Sequence, residues 1–256
     1  MSVKTDPSGK RYVEIEFEVP GTPEQVWRAI ATGPGISSWF VPTSVEGRVG
    51  GAATSNFGPG MDSVASITSW DPPRRFAAES RDGTGPNDPT VATEWIVEAR
   101  SGGTCVVRVV HSWFAESDDW DNQFEGHEHG WQAFFRILRL YLTYFRGQSS
   151  AAYQLMGIAP EPVPAAWNAL LLKLGIVAAV EGQRVTSDTG PLPFSGWVER
   201  TGPHDHPELL LRLEKPAPGL IHLFAMPMGG KVYLPVRVYL YGDDASRVVA
   251  RDEPLW

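Results

Sequence analysis

The chain has 256 residues, 42% of them apolar, enough to build real cores in one large domain or two smaller ones; this excludes a disordered protein. Acidic residues outnumber basic ones, 30 against 22, for a formal net charge of -8, so no general positive field neutralises a phosphate backbone and nucleic acid is not an expected partner. A single cysteine, Cys105, excludes an intramolecular disulfide and any multi-cysteine metal site.

The N-terminal stretch MSVKTDPSGKRYVEIEF runs from polar residues straight into a strand pattern without an apolar signal segment. The longest apolar run, ALLLKLGIVAAV at 169–180, is too short for a bilayer and carries Lys173, so no membrane span is expected and the expected location is cytoplasmic. RYVEIEFEV at 11–19 alternates strictly, with Glu14, Glu16 and Glu18 on one face and Val13, Ile15, Phe17 and Val19 on the other: a half-buried strand. Thr22 and Pro23 then open a helix, TPEQVWRAIA, as N-cap and first helical residue. GPGISSWF follows as a short turn or second helix. Between 43 and 114 the pattern is strand-rich, with VEGRVGG, MDSVASITSW, RRFAAES, TVATEWIVEA and TCVVRVVHSWF separated by glycine turns, for about six strands. From 118 to 146 comes one long helix, acidic at its start and closed by Arg146 and Gly147. The proline-rich 151–163 reads as a linker, AAWNALLLKLGI as a helix, and 183–241 as strands again. This order is an α+β plan, with domains expected at 1–150 and 164–256.

At about 100° per residue, Trp120, Phe124, His127, Trp131, Phe134, Phe135, Leu138, Tyr141, Leu142 and Phe145 form one stripe of the long helix, facing the sheet. Ile137, Leu140 and Tyr144 form a further apolar edge, wider than an ordinary amphipathic helix requires. The C-terminal half is expected to cover that edge, with a homodimer as the alternative. Alternation in the strands turns Cys105, Val107, Val109, His111 and Trp113 inward, opposite an outward Arg108. It does the same for Val91, Thr93, Trp95 and Val97, opposite Glu94 and Glu98. The inner wall is therefore aromatic with few polar groups, a composition that suits a small-molecule pocket and equally a plain core.

EGHEHGW, at 125–131, brings two histidines and two glutamates together, but on a helix His127 and His129 diverge by about 200° and cannot chelate one ion. Glu125 and His129 are four apart and make only half a metal site. His129 is expected in solvent with Glu125, and His127 on the buried stripe against Trp131. His204 and His206 sit in a proline-bounded loop that needs no metal to explain it. There is no GxSxG elbow, no dinucleotide fingerprint and no phosphate loop. No metal and no cofactor is indicated.

The opening strand with TPEQVWRAIATGPGISSWF, then VEGRVGGAATSNFGPGMDSVASITSWDPPRRFAAES, TEWIVEARSGGTCVVRVVHSWF and HEHGWQAFFRILRLYL resemble, in content and order, a START-type helix-grip domain. This is the SRPBCC superfamily of the birch pollen allergen and polyketide cyclases, and the most similar subgroup is the bacterial homologues of the activator of the heat-shock protein 90 ATPase. The resemblance spans 11–146 and implies a curved antiparallel sheet wrapped around the long C-terminal helix, with a cavity between them. It implies no reaction, because the superfamily has no shared catalytic set. The eukaryotic activator uses a further N-terminal domain, whereas this sequence begins at the helix-grip strand.

The leading expectation is non-catalytic binding of a small hydrophobic molecule, lined by Trp95, His111, Trp113, His127, Trp131, Phe134, Phe135, Leu138, Tyr141 and Leu142, with His111 and Tyr141 fixing its orientation. The alternatives are a co-chaperone-type interaction module, and a cyclase, dehydratase or hydrolase using His111 or His127 as general acid/base. For the C-terminal region the readings are a lid, a dimer element or a degenerate second copy. The last rests on PAAWNALLLKLGI resembling TPEQVWRAIATGPGI and on MGGKVYLPVRVYL resembling SGGTCVVRVVHSW, against the lack of an alternating first strand and of a long closing helix.

Overall fold

The structure is a computed structural model that describes residues 4–5, 11–58, 60, 62–81, 90–113, 119–160, 162–176, 178–188 and 193–255; the side chains of 81, 113 and 119–130 lie outside that description. The chain divides into two compact units, Met1–Gly147 and Gln148–Trp256.

The first unit runs β1 (Lys4–Thr5), β2 (Arg11–Pro20), α1 (Pro23–Ala31), α2 (Gly33–Ser37), β3 (Thr43–Val45), β4 (Ala52–Asn56), β5 (Asp62–Asp71), β6 (Arg75–Arg81), β7 (Thr90–Arg100), β8 (Thr104–Trp113) and α3 (Asp119–Tyr144). Its antiparallel sheet has the order β1-β2-β8-β7-β6-β5-β4-β3. The opening strand β2 therefore pairs with the closing strand β8, residue against residue from Arg11–Trp113 to Pro20–Thr104, and the remaining strands follow as a meander. This is the α+β helix-grip plan.

Local chemistry accounts for the pieces. The Thr22 hydroxyl accepts from the Gln25 amide, and Gln25 Oε1 accepts from the Thr22 amide at 2.9 Å, a reciprocal cap that starts α1. α1 buries Val26, Trp27, Ala29, Ile30 and Ala31. Gly33 and Gly35 let α2 sit close: a Cβ on Gly35 would lie 1.8 Å from the Arg28 carbonyl oxygen, and one on Gly33 would lie 2.8 Å from that of Thr43. The glycines of GPGISS serve packing. Trp39, 1% exposed, follows α2 and donates its indole N–H to the Ala29 carbonyl at 2.9 Å, pinning α2 to α1. One strand expectation moves: VEGRVGG is not a strand. β3 stops at Val45 and β4 starts at Ala52, because a Cβ on Gly51 would meet the Glu46 carbonyl oxygen at 2.2 Å and the segment folds into a turn.

Alternation predicts the sheet faces correctly. Val13, Ile15, Val19, Val91, Trp95, Val97, Cys105, Val107 and Val109 are buried. Arg108 lies outward and donates to Glu98 Oε1 at 2.7 Å, and Arg75 is paired with Glu94. On α3, Phe134, Phe135, Leu138, Tyr141, Leu142 and Phe145 are buried as the stripe predicts. The apolar edge behaves differently along its length. Ile137 is wholly buried and Leu140 half-buried, but Tyr144 is 48% exposed.

The second unit runs β9 (Ala151–Ala159), α4 (Val163–Lys173), β10 (Arg184–Ser187), β11 (Phe194–Thr201), β12 (Glu208–Lys215), β13 (Gly219–Phe224), β14 (Met226–Met228), β15 (Lys231–Leu240) and α5 (Ala245–Asp252). Most of 151–163 is thus no linker. Ala151–Ala159 is a strand that pairs over nine consecutive residues with β15, from Ala151–Leu240 to Ala159–Val232. It is the alternating first strand that the second half was expected to lack: Tyr153 and Leu155 turn toward the core while Ala152, Gln154 and Met156 are exposed. Across the sheet the order is β9-β15-β13-β12-β11-β10, with β14 a short hairpin arm on β15. Opening strand beside closing strand, then a meander, is the order of the first unit. The helix after β15 is short, however, eight residues in α5 against 26 in α3. The main core, with Leu174, Val198, Leu211, Leu223, Val236 and Val248, packs the sheet against both helices.

Candidate functional site

The site is built around the first described side chain of α3, Trp131, where the helix lies against β7 and β8. Trp131 is half-buried there, in contrast to the fully buried Leu138 and Leu142 further along. Its indole lies 6.3 Å from the Trp95 ring and 5.7 Å from Phe135. Phe135 in turn stacks on Phe17 of β2 at 4.3 Å. The His111 ring is 5.9 Å from Trp131, and His111 Nδ1 shares a 2.8 Å hydrogen bond with Thr93 Oγ1 on the neighbouring strand. That bond fixes the orientation of a half-buried imidazole in an otherwise aromatic wall and couples its tautomer to the hydroxyl.

Two residues complete this end that the sequence reading did not assign. Phe40, just after α2, lies nearly parallel to Trp131 at 6.2 Å and meets Phe134 edge-on at 4.3 Å. Phe57, 39% exposed, stands edge-on against Phe40 at 5.7 Å. Aromatic rings thus run without a break from the surface at Phe57, through Phe40 and Trp131, to Trp95 in the core. The available signal was the aromatic pair Trp39–Phe40 at the end of a helix too short to bury both, and an aromatic at the head of the turn FGPG.

Of the expected lining residues, the structure brings Trp95, His111, Trp131, Phe134 and Phe135 together. The His127 side chain and the Trp113 side chain lie outside the described residues, as do those of Glu125 and His129. Leu138 and Leu142 are core, each 0% exposed. Tyr141 does not join His111: ten residues beyond Trp131 on the helix, it lies about 15 Å further along the axis. There its hydroxyl accepts a hydrogen bond from the Gly147 amide at 3.2 Å, just past the helix C-terminus. Cys105 is fully buried, directs its thiol to the Gly21 carbonyl at 3.3 Å, and has its pKa pushed up by burial and by the nearby Glu24, the opposite of an activated nucleophile.

Among the described residues no group of three or more His, Cys, Asp or Glu is placed to hold a metal ion, and no helix is long and apolar enough to cross a membrane. His204 and His206 lie exposed in a turn. In the second unit, the space between sheet and α5 is filled: the void lined by Tyr153, Phe194, Ile221, Leu240 and Asp252 measures about 10 Å³, room for one water molecule at most.

Fold and site together define an SRPBCC-type helix-grip protein with an aromatic, sparsely polar grip. The family model described as "Activator of Hsp90 ATPase homolog 1-like protein" matches residues 20–143, most of the first unit. No curated protein matches the chain. Among solved structures, the chain is similar to protein MLL2253 from Mesorhizobium loti, with 21% identity over 53% of this chain and 98% of that one and a TM-score of 0.48. It is also similar to the Aha1 dimer from Colwellia psychrerythraea, with 19% identity over 53% and 98% of the two chains and a TM-score of 0.46. The di-domain ARO/CYC BexL from the BE-7585A biosynthetic pathway is 15% identical over 94% of this chain and 87% of that one, with a TM-score of 0.46. At these scores the likenesses carry no ligand, partner or activity across to this chain.

Proposed function

We propose that the first unit binds a small hydrophobic molecule at the aromatic end of its grip, without turning it over. The observation that carries the reading is the Thr93–His111 hydrogen bond at 2.8 Å beside the half-buried Trp131. A polar pair held in an aromatic wall at the accessible end of a domain is the makeup of a ligand site, in which apolar surface supplies affinity and a few polar groups supply orientation. Phe40 and Phe57 are the rings that must part to admit a ligand, since Trp131, Phe135 and Trp95 fill the interior behind them. Apolar burial supplies roughly 25 cal/mol per Å² before association costs. The second unit, read as a degenerate copy of the grip, has no part in this binding because its short helix closes directly on the sheet. Native mass spectrometry of the purified protein, with displacement of an apolar fluorescent dye, tests the proposal. A bound species, or dye displaced and binding weakened by Trp131→Ala, is the expected result; no bound species and no dye binding would remove it.

The family description favours a second reading, stimulation of a heat-shock protein 90 ATPase through an exposed surface of the first unit. Adding the chain to such an ATPase and finding no change in turnover would reject it.

A further inference from the structure

An aromatic wall accepts fatty chains, puckered rings and flat rings alike, but the tilt of its own rings distinguishes them. Phe40, just after α2, and Trp131 of α3 lie with their planes 10° from parallel and their centroids 6.2 Å apart. Both are half-buried. The stacked pair Phe17–Phe135 in the same wall is closer, at 4.3 Å. Neighbouring rings stand across the Phe40–Trp131 pair: Phe57 at 86° and Phe134 at 74° to Phe40, and Trp95 at 67° to Trp131.

We propose that the ligand of the grip is a planar aromatic or conjugated ring system with an oxygen on its rim, lying flat against Phe40 and Trp131 together. The inference rests on ligand binding by the first unit and names the class of ligand. A flat ring laid on Phe40 is parallel to Trp131 as well, so one orientation of the ligand serves both faces. Held between them it takes up two van der Waals gaps of about 3.5 Å, so the rings have to part by about 1 Å from 6.2 Å. That is a side-chain adjustment, of a size common on binding. A puckered saturated ring is thicker, points hydrogens at both faces and gains no stacking. His111, 5.9 Å from Trp131 and tilted by 53° to it, is the polar ring beside the pair, and Thr93 fixes its orientation. A carbonyl or hydroxyl oxygen in the plane of the ligand is the group it would orient.

Calorimetric titration of the full chain with a naphthol and with the decahydronaphthol that is its saturated counterpart tests the class. The two share a carbon skeleton and a hydroxyl, so burial of apolar area alone separates them little, whereas stacking on two faces separates them by about tenfold or more. The naphthol is expected to bind tighter by that factor, and its ring protons to shift upfield in the magnetic resonance spectrum of the complex. Phe40→Leu keeps an apolar side chain and removes the ring face. It is expected to weaken naphthol binding by about tenfold and to leave decahydronaphthol binding unchanged. Equal affinities in the wild-type chain, or equal losses in Phe40→Leu, would overturn the planar class while apolar binding stood. Binding of neither compound would remove both.

Discussion

Thr93 and His111 face each other directly across β7 and β8, and their Oγ1 and Nδ1 atoms are 2.8 Å apart. Strand alternation turns both residues inward, and the register of two long strands makes them partners. Thr93→Val keeps the shape and removes the hydrogen bond from a half-buried ring, so stability measured by urea denaturation should fall by about 1 kcal/mol. Thr93→Ser should restore most of it, and the affinity for an apolar probe should follow the same order. An unchanged probe affinity in Thr93→Val would argue against a ligand role for the pair.

Trp131 and Leu138 lie on one helical stripe but differ in kind: one is half-buried, the other 0% exposed. Leu138→Ala should cost about 2–5 kcal/mol of stability and leave the probe affinity of the folded fraction intact. Trp131→Ala should lower probe affinity by about tenfold, which corresponds to roughly 1.4 kcal/mol, at a smaller cost in stability. Denaturation curves and dye titrations run on both variants separate the two effects.

Gly35 stands where a Cβ would lie 1.8 Å from the backbone oxygen of Arg28. Because the obstacle is backbone and no side chain can swing away, Gly35→Ala should force α2 off α1. The loss is expected to exceed about 3 kcal/mol, in the range reserved for strain and overpacking. It would be read as a lowered denaturation midpoint with loss of the near-ultraviolet signal of Trp39. Gly60→Ala, where nothing lies within 4 Å of the added carbon but φ is +74°, should show only the smaller cost of a left-handed backbone.

Tyr239, on β15, is 3% exposed, and burial pushes its phenol pKa from 10.0 up to about 12, opposed in part by Arg237. The folded pKa is the higher one, so the neutral phenol's contribution is complete below pH 10 and is lost as pH rises from 10 toward about 12. Across that window the unfolded chain has released the proton and the folded chain still holds it. Each pH unit should therefore cost about 1.4 kcal/mol, and Tyr239→Phe should flatten the wild-type decline between those limits. Denaturation series at stepped alkaline pH measure the difference between the two proteins.

The helix-grip plan of the first unit is legible because its signals are local. Alternation in RYVEIEFEV and TCVVRVVHSW, the Thr22 cap and the 3.6-residue stripe of α3 each need only neighbours a few residues away, and over the described side chains each appears as expected. Where the reading failed, the deciding contact was distant or steric. VEGRVGG has strand-forming valines, yet the close approach of Gly51 to the Glu46 carbonyl makes it a turn.

What the sequence determined by itself, then, is the α+β class, the inward faces of β7 and β8, and the aromatic character of the grip, since periodicity alone sorts those side chains into faces. Only the tertiary structure decided the rest. It made AAYQLMGIA a strand, because the partner that satisfies its backbone hydrogen bonds lies far along the chain: Gln154 meets Arg237, 83 residues on. It brought Phe57, Phe40 and Trp131 into one run of ring contacts. It also sent Tyr141 to the helix terminus and away from His111, because position along a helix axis, and not face alone, determines which side chains can meet.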